Sequence, residues 1–548
     1  MSGDGDVIDG GRRTSVDFYA QEALEAIAEG LGFGFVKQPI FARTVSARSV
    51  KPARRPRLIE VNMAPTTRRQ FVQTALAAAA IYGSPINLLG AGRQIIGERE
   101  QNAAAVDAAA IRKLTSQISG HVITPGAPDY ESSRLIFNLA FDRRPALIVR
   151  CASAPDVARA LDFAQSQNLP LAVRGGGHNR AGFSVCDGGV VIDLSGMNRV
   201  AVDQSKRVAR AEAGALVRDL DQATQGFGLA TTSGGCPTVG IAGLTLGGGE
   251  GQLMSKYGAA CDNLLSAQLV TVDGRQVEAN QNSNTDLFWA IRGGGGNFGV
   301  ITALEYQLHP VTHVLGGTLL YPPGRIPELL QAFAKFVATA PDEVSVVGGV
   351  LPSEKGTRFQ LTFFHCGDPR QGNELVRPWR ELKPQGDNVR VTSYLEAQEA
   401  GFLRAPVAHF QTDLFLPELS SAAIAAIAAA TSDALATNRV FIVPFSGAIT
   451  RVGLSDTAFA LRQPGYEVDI TGLWRAPAEK PAAVQWVKSL RDNLQPSAQG
   501  VYVNQLGETS DALVRAAYGP NYARLVEIKK KYDPKNVLRL NQNIQPNG

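Results

Sequence analysis

The chain has 548 residues, 44% apolar and 19% charged, the proportions of a globular protein long enough for several domains and a large core. Its formal net charge is +4, and residues 1–69 hold eleven Lys/Arg against eight Asp/Glu, so the rest, with 43 basic and 42 acidic residues, is nearly neutral and shows no basic face for nucleic acid. Five cysteines without a Cys-x-x-Cys pair give neither a zinc pattern nor a need for a disulfide framework, and their pairing is open at this level.

In chain order, residues 1–62 carry weak order signals, with scattered Arg and Pro from Ala47 to Arg57, and read as a disordered or non-native extension. Met63-Ala-Pro-Thr-Thr67-Arg68-Arg69-Gln70-Phe71 and the apolar run Thr74 to Tyr82 resemble a bacterial twin-arginine export signal. The paired arginine precedes an Ala-rich stretch too short to span a bilayer; an ordinary Ala-rich helix with a basic start is the alternative. The expectation is that Met63 is the true start, that 63–95 is the signal with cleavage after Pro85, and that the twin-arginine machinery exports the protein to the periplasm or beyond.

Ile111 to Phe141 reads as a helix and lead-in. From Pro145 to about Pro310, short Val/Ile/Leu-rich strands alternate with helices such as Ala154–Gln167 and Leu216–Gly226. Pro155 and Asp156 suit the first turn of the former, and Asn168 suits its end. From Thr318 the strands Leu319–Tyr321, Ser345–Val350, Arg358–Phe364 and His409–Phe415 accompany helices Ile326–Thr339 and Ser420–Ala436, the last with Ser420 as N-cap. There is no internal repeat.

Two glycine-rich loops carry the chemistry. The first is Arg174-Gly-Gly-Gly-His178-Asn-Arg-Ala-Gly182; the second is Gly234-Gly-Cys236-Pro-Thr-Val-Gly240-Ile-Ala-Gly243-Leu-Thr-Leu-Gly247-Gly-Gly249. Glycine runs let backbone N–H groups close on an anion, which suggests a phosphate-bearing cofactor. An imidazole and a thiol inside such loops are nucleophiles set to touch that cofactor, and the combination points to a covalently held flavin.

The two loops, together with Pro125–Glu131, Asn138–Arg150, Lys256–Asn263, Asp286–Val300 and Tyr532–Ile544, resemble the berberine bridge enzyme-like branch of the FAD-linked oxidases, in the vanillyl-alcohol-oxidase/PCMH superfamily. The resemblance runs from about residue 112 to the end. It implies an α+β fold: a PCMH-type FAD-binding domain of two α/β subdomains over 112–312, then a substrate-binding domain over 313–495 with an antiparallel sheet backed by helices. A C-terminal segment, 496–548, returns to the FAD domain. It implies FAD tethered through His178 and, in the bicovalent subset, through Cys236. Further cofactor contacts are implied at Arg174, Gly175, Gly176, Gly177, Asn179 and Gly182, at Thr238, Val239, Gly240, Gly243, Gly247, Gly248 and Gly249, at Tyr257, Asn297, Gly299 and Val300, and at Asn541 and Asn543; no metal is implied.

By the same resemblance, Tyr502 of Tyr502-Val-Asn504 is the catalytic base, its pKa needing to fall from about 10 with help from the flavin or a cation such as Arg462. Gln505 departs from the common aromatic at its place. The implied function is an oxidase taking hydride from an alcohol or hemiacetal carbon of a small-molecule substrate, with O2 as acceptor and H2O2 as product. A small Val239 favours oxygen. A dehydrogenase with another acceptor and a non-catalytic flavin-binding protein are the alternatives, and the substrate is not legible.

Overall fold

The computed structural model describes residues 106–399, 405–432 and 437–547. The N-terminal extension and the export-signal segment therefore lie outside the described residues, as does the end of the expected 420–436 helix.

The first sheet is built from short β-branched runs. β1 (His121–Ile123), β2 (Leu147–Arg150), β3 (Leu171–Arg174) and β4 (Val190–Asp193) lie in the order β1-β2-β4-β3, with β2 and β3 both parallel to β4. Helix Ala154–Ser166 covers this sheet, burying Val157, Ala160, Leu161 and Phe163. Pro155 and Asp156 stand in its first turn, and Asn168 takes φ 51° just beyond its end, a left-handed turn that Asn tolerates better than most residues.

A second sheet is antiparallel throughout. It contains β5 (Val200–Asp203), β6 (Val208–Glu212), β8 (Leu264–Val270), β9 (Gln276–Asn280) and β10 (Val300–Gln307) in the order β5-β6-β10-β8-β9. The short β7 (Leu229–Ala230) pairs with β11 (His309–Pro310) beside it. Helix Val217–Gln225 falls within the expected 216–226 segment.

The third sheet is the largest. It joins β12 (His313–Leu320), β13 (Val344–Ser353), β14 (Gly356–His365), β15 (Gly386–Asp387), β16 (Arg390–Ser393), β17 (Ala408–Leu416), β18 (Arg439–Phe445) and β19 (Gly465–Trp474), with the run β14-β13-β18-β19-β17 at its centre. Strand residues alternate between faces. Val440, Ile442, Val468 and Ile470 of β18 and β19 are fully buried, as are Phe359, Leu361 and Phe363 of β14, and helices Ile326–Val337, Ser421–Ser432 and Lys480–Leu494 pack against the sheet. Ser420 caps the middle helix through Ala423 N–H, at 3.2 Å. Among the described residues no helix is long and apolar enough to cross a membrane.

The C-terminal residues close back on the loop before β10. Lys529 Nζ, 0% exposed, donates to Asp533 Oδ2 at 2.7 Å, to Asn297 O at 2.9 Å and to Leu538 O at 3.0 Å. Asp533 also accepts from the amides of Val537 and Leu538. Removing one member of such a pair strands a buried charge, so Asp533→Ala should cost about 3–5 kcal/mol. Chemical denaturation of the holoprotein, followed by far-UV circular dichroism, measures that loss; a midpoint equal to the parent's would show the pair to be unimportant.

Candidate active site

β3 runs directly into Gly175-Gly-Gly177, and the second loop ends at Gly240, the N-cap of helix Ile241–Leu246. The loops touch back to back: a Cβ on Gly176 would overlap the amide nitrogen of Gly240, and one on Gly240 would overlap that of Gly176. Only glycine permits that approach at either position. The second loop is pinned from behind by Val217 N–H to Val239 O at 2.9 Å and Arg218 N–H to Pro237 O at 3.1 Å. Among the described residues the amides of Gly176 to Arg180 have no backbone acceptor.

Both loops form a wall of one large cavity, which holds about 2380 Å³ of space including its open mouth. His178 Nε2 lies 3.0 Å from Thr238 Oγ1, and Cys236 Sγ lies 3.4 Å from the same hydroxyl. One hydroxyl thus sets the two nucleophiles side by side on the cavity wall. Phe137 stacks on the His178 ring at 4.0 Å. Burial, helped by the nearby charges of Arg180 and His409, lowers the His178 pKa to about 3, so its imidazole is neutral and nucleophilic at physiological pH. The row of glycines, the unpaired loop amides and the adjacent nucleophiles fit a flavin with a diphosphate tail.

The opposite wall is one face of the large sheet. Ser345 and Val347 of β13, His409 and Gln411 of β17, Arg439, Phe441 and Val443 of β18, and Asp469 and Thr471 of β19 line the cavity. The registers place Arg439, Thr471 and Gln411 in one row across three strands, and Phe441, Asp469 and Asp413 in the next. Gln411 Nε2 donates to Asp469 Oδ2 at 3.0 Å and to Gln505 Oε1 at 2.7 Å, and Thr471 Oγ1 donates to Asp469 Oδ1 at 2.8 Å.

Tyr502 stands between the walls. It is the N-cap of a short 3₁₀ turn, Val503–Gln505. Its Oη accepts from Gly249 N–H at 3.0 Å and from Asn504 Nδ2 at 2.9 Å, while its own amide donates to Asp413 Oδ2. Burial and the Glu250 carboxyl push the phenol well above its usual pKa, against these two donors. The cation expected to lower it is elsewhere: the Arg462 guanidinium is held by Asp262 at 2.6 and 2.8 Å and by Thr457 Oγ1 at 2.8 Å. Arg462 is therefore corrected to a structural role.

Four carboxyl groups crowd this region. Burial raises Glu250 to about 8, with Asp413 and Asp469 adding to the rise; Glu467 and Asp413 are pushed well above the usual range, and Asp469 upward, all chiefly by burial. Both Glu467 oxygens, Glu250 Oε1 and Asp413 Oδ1 lack hydrogen-bond partners. Ionised carboxylates only accept, so facing carboxyls keep protons.

Folding raises the Glu250 pKa from 4.5 to about 8, so the folded state holds this proton more tightly than the unfolded chain. The associated stability is fully present below pH 4.5 and is lost as pH rises through about 8. Glu250→Gln should accordingly raise the melting temperature at pH 8.5 far more than at pH 5. Thermal melts of both proteins across that range test this; equal shifts at the two pH values would contradict the shared-proton arrangement.

Of the residues the sequence singled out, Gly175, Gly176, Gly177, His178, Asn179, Cys236, Val239, Gly240, Gly243, Gly299, Val300, Asn541 and Tyr502 line the cavity. The others stand behind the lining. Arg174 spends its guanidinium on Asp193, at 2.8 Å, and on Ser133 O. Gly182 makes room for the Phe141 ring, and Gly247, Gly248 and Gly249 make room for Asn504, Phe459 and Ala260. Thr238 bridges the two nucleophiles. Tyr257 stacks on His309 at 3.9 Å. Asn297 clamps the C-terminal segment, its Nδ2 donating to Gln542 O and its Oδ1 accepting from Ile544 N–H. Gln542, not Asn543, is the lining residue of its pair. Arg180, Glu250, Gln411, Arg439 and Asp469 line the cavity and were missed. For Asp469 the signal is present as polar residues alternating with apolar ones, Glu467-Val-Asp469-Ile-Thr471.

Residues 145–280 match the family described as FAD binding domain, and residues 501–545 match that described as berberine and berberine like. An (R)-6-hydroxynicotine oxidase of Paenarthrobacter nicotinovorans is 33% identical over 79% of this chain and 98% of its own length. The chain belongs to the berberine-like FAD-linked oxidoreductases. An uncharacterised FAD-linked oxidoreductase of Bacillus subtilis, YgaK, is 30% identical, again over 79% of this chain and 98% of the relative. The crystal structure of 6-hydroxy-D-nicotine oxidase from Arthrobacter nicotinovorans superposes on 78% of this enzyme and 98% of that chain, with a TM-score of 0.72 at 30% identity. A chitooligosaccharide oxidase shares the fold, with a TM-score of 0.71 at 24% identity. Among the described residues, Cys151, Cys186, Cys261 and Cys366 form no disulfide.

Proposed function

We propose that this flavoenzyme is an exported oxidase that removes hydride from an alcohol or hemiacetal carbon of a small molecule, with FAD held covalently by both His178 and Cys236. The observation that carries the reading is the convergence of His178 Nε2 and Cys236 Sγ on the Thr238 hydroxyl, at 3.0 and 3.4 Å, in the cavity wall. A neutral imidazole and a thiol so placed suit neighbouring positions on one edge of an isoalloxazine ring. Bound FAD supplies the hydride acceptor and, in air, a path for two electrons to O2 that yields H2O2. The small Val239 in the lining and the oxidase named among the relatives support oxygen as acceptor over a dehydrogenase.

Tyr502 Oη takes the substrate hydroxyl proton in this reading. It does so as the phenolate, whose charge the N–H groups of Gly249 and Asn504 stabilise against the burial that raises its pKa. Below pH 8 Glu250 is protonated, which removes its repulsion. A second reading has its own support: Glu250 lines the cavity with a pKa of about 8, and a base tuned near the working pH is effective.

Rapid mixing without oxygen separates the two. Tyr502→Phe should slow flavin reduction by about 10²- to 10⁴-fold with flavin content unchanged, and Glu250→Gln should slow it less; the reverse order transfers the role to Glu250. The panel is sugars, simple alcohols and phenolic alcohols, with peroxide measured in air; bleaching without peroxide marks a dehydrogenase, and no bleaching by any alcohol contradicts the proposal.

Attachment has its own test. Acid-precipitated protein should remain yellow, and so should His178→Ala and Cys236→Ala singly, while the double variant should release its flavin. Release from either single variant would leave one tether only. Export through the twin-arginine route predicts a mature N-terminus after Pro85, and N-terminal sequencing that finds residues before Met63 would rule it out.

A further inference from the structure

Two guanidiniums with no carboxylate bound to them face the cavity, Arg439 from β18 of the sheet wall and Arg180 from the first glycine loop. Neither makes a salt bridge or a side-chain hydrogen bond among the described residues, and the buried Arg439 Nε has no acceptor. His409 Nε2, in the sheet wall, is also buried without a partner. The two arginines act together through space: both charges bear on His409 and on Asp469.

The acidic groups nearby do not offset them. Burial pushes Glu250 up to about 8; Asp469, raised by burial and lowered by both arginines, spends its two oxygens on Gln411 Nε2 and Thr471 Oγ1 rather than on either guanidinium. Arginine stays charged throughout. Burial, again with Arg180 and Arg439 contributing, lowers His409 to about 3, which makes it a neutral hydrogen-bonding group. Two guanidiniums without a bound carboxylate therefore face the cavity, one from each wall. A buried guanidinium lacking an acceptor opposes folding, and a bound anion relieves that cost.

We propose that Arg439 and Arg180 bind a carboxylate of the substrate, so that the alcohol or hemiacetal oxidised is a hydroxy acid, such as a uronic or other sugar acid. Arg439 sits in the row with Thr471 and Gln411, and Asp469 sits in the next row. A carboxylate on the arginines therefore leaves the substrate's hydroxyls to the Gln411, Thr471 and Asp469 groups. This inference rests on the oxidase reading only for the reaction; the anion site stands on its own geometry.

The test uses the holoenzyme and two readouts. In the first, perturbation of the bound flavin's absorption is titrated with benzoate, benzamide and benzylamine. Benzoate should bind at least about tenfold more tightly than either, and Arg439→Gln and Arg180→Gln should each remove that advantage, with flavin content and melting temperature as folding controls. Tighter binding of benzylamine would assign the cavity to cations, and equal binding of all three would overturn the proposal. Loss of flavin from either variant would assign its arginine to the cofactor. In the second, anaerobic flavin reduction is compared for galacturonate against galactose and glucuronate against glucose. The acid of each pair should show the lower dissociation constant, and Arg439→Gln should raise it at least about tenfold while changing the neutral sugar's less than about twofold. Selective carboxylate binding with no reduction by any hydroxy acid would keep the anion site and reject the alcohol-oxidase reading.

Discussion

The loop from Gly175 to His178 and the loop from Gly234 to Gly240 pass so closely that no side chain fits between Gly176 and Gly240. The rest of the site follows from that crossing. It fixes the backbone before His178 against the backbone after Cys236, so that the Thr238 hydroxyl spans the two side chains. An alanine at either crossing residue would force the loops apart and separate His178 from Cys236.

Around that crossing the chain builds two walls of opposite character. The loop wall is glycine-rich, with few side chains to obstruct a large planar cofactor. The sheet wall is dense with polar side chains, because every second residue of β17, β18 and β19 faces inward while its neighbours pack on helices. One wall is specialised for holding a common cofactor and the other for recognising a particular substrate. Tyr502 belongs to neither, and its hydroxyl is held by Gly249 from the second loop and by its own neighbour Asn504.

Much of this was legible in the sequence for physical reasons. The glycine loops were legible because close approach and positive φ restrict residue choice, and the strand and helix runs of the body because of their periodicity; Asn168 and Ser420 marked helix ends through their local hydrogen-bonding and conformational preferences. The sheet was legible through the resemblance as the antiparallel sheet of the substrate-binding domain, but its polar cavity residues were not, although Glu467, Asp469 and Thr471 alternate with apolar residues in plain view. Such alternation is the normal mark of a solvent-facing strand, and only the tertiary structure shows that this face is buried. Arg462 failed as the activating cation for a related reason: its partner Asp262 lies 200 positions away. Asn297 and Arg174 were drawn into the cofactor set by their neighbours in the motif, whereas the fold spends them on anchoring the C-terminal segment and β4.

The account stands or falls on whether His178 and Cys236 grip one flavin. Proteolysis of the denatured holoenzyme followed by mass spectrometry reads this directly. The account predicts that the peptide carrying His178 and the peptide carrying Cys236 are recovered as a single species, joined through one flavin. Recovery of both peptides unmodified, with FAD free in solution, would contradict it.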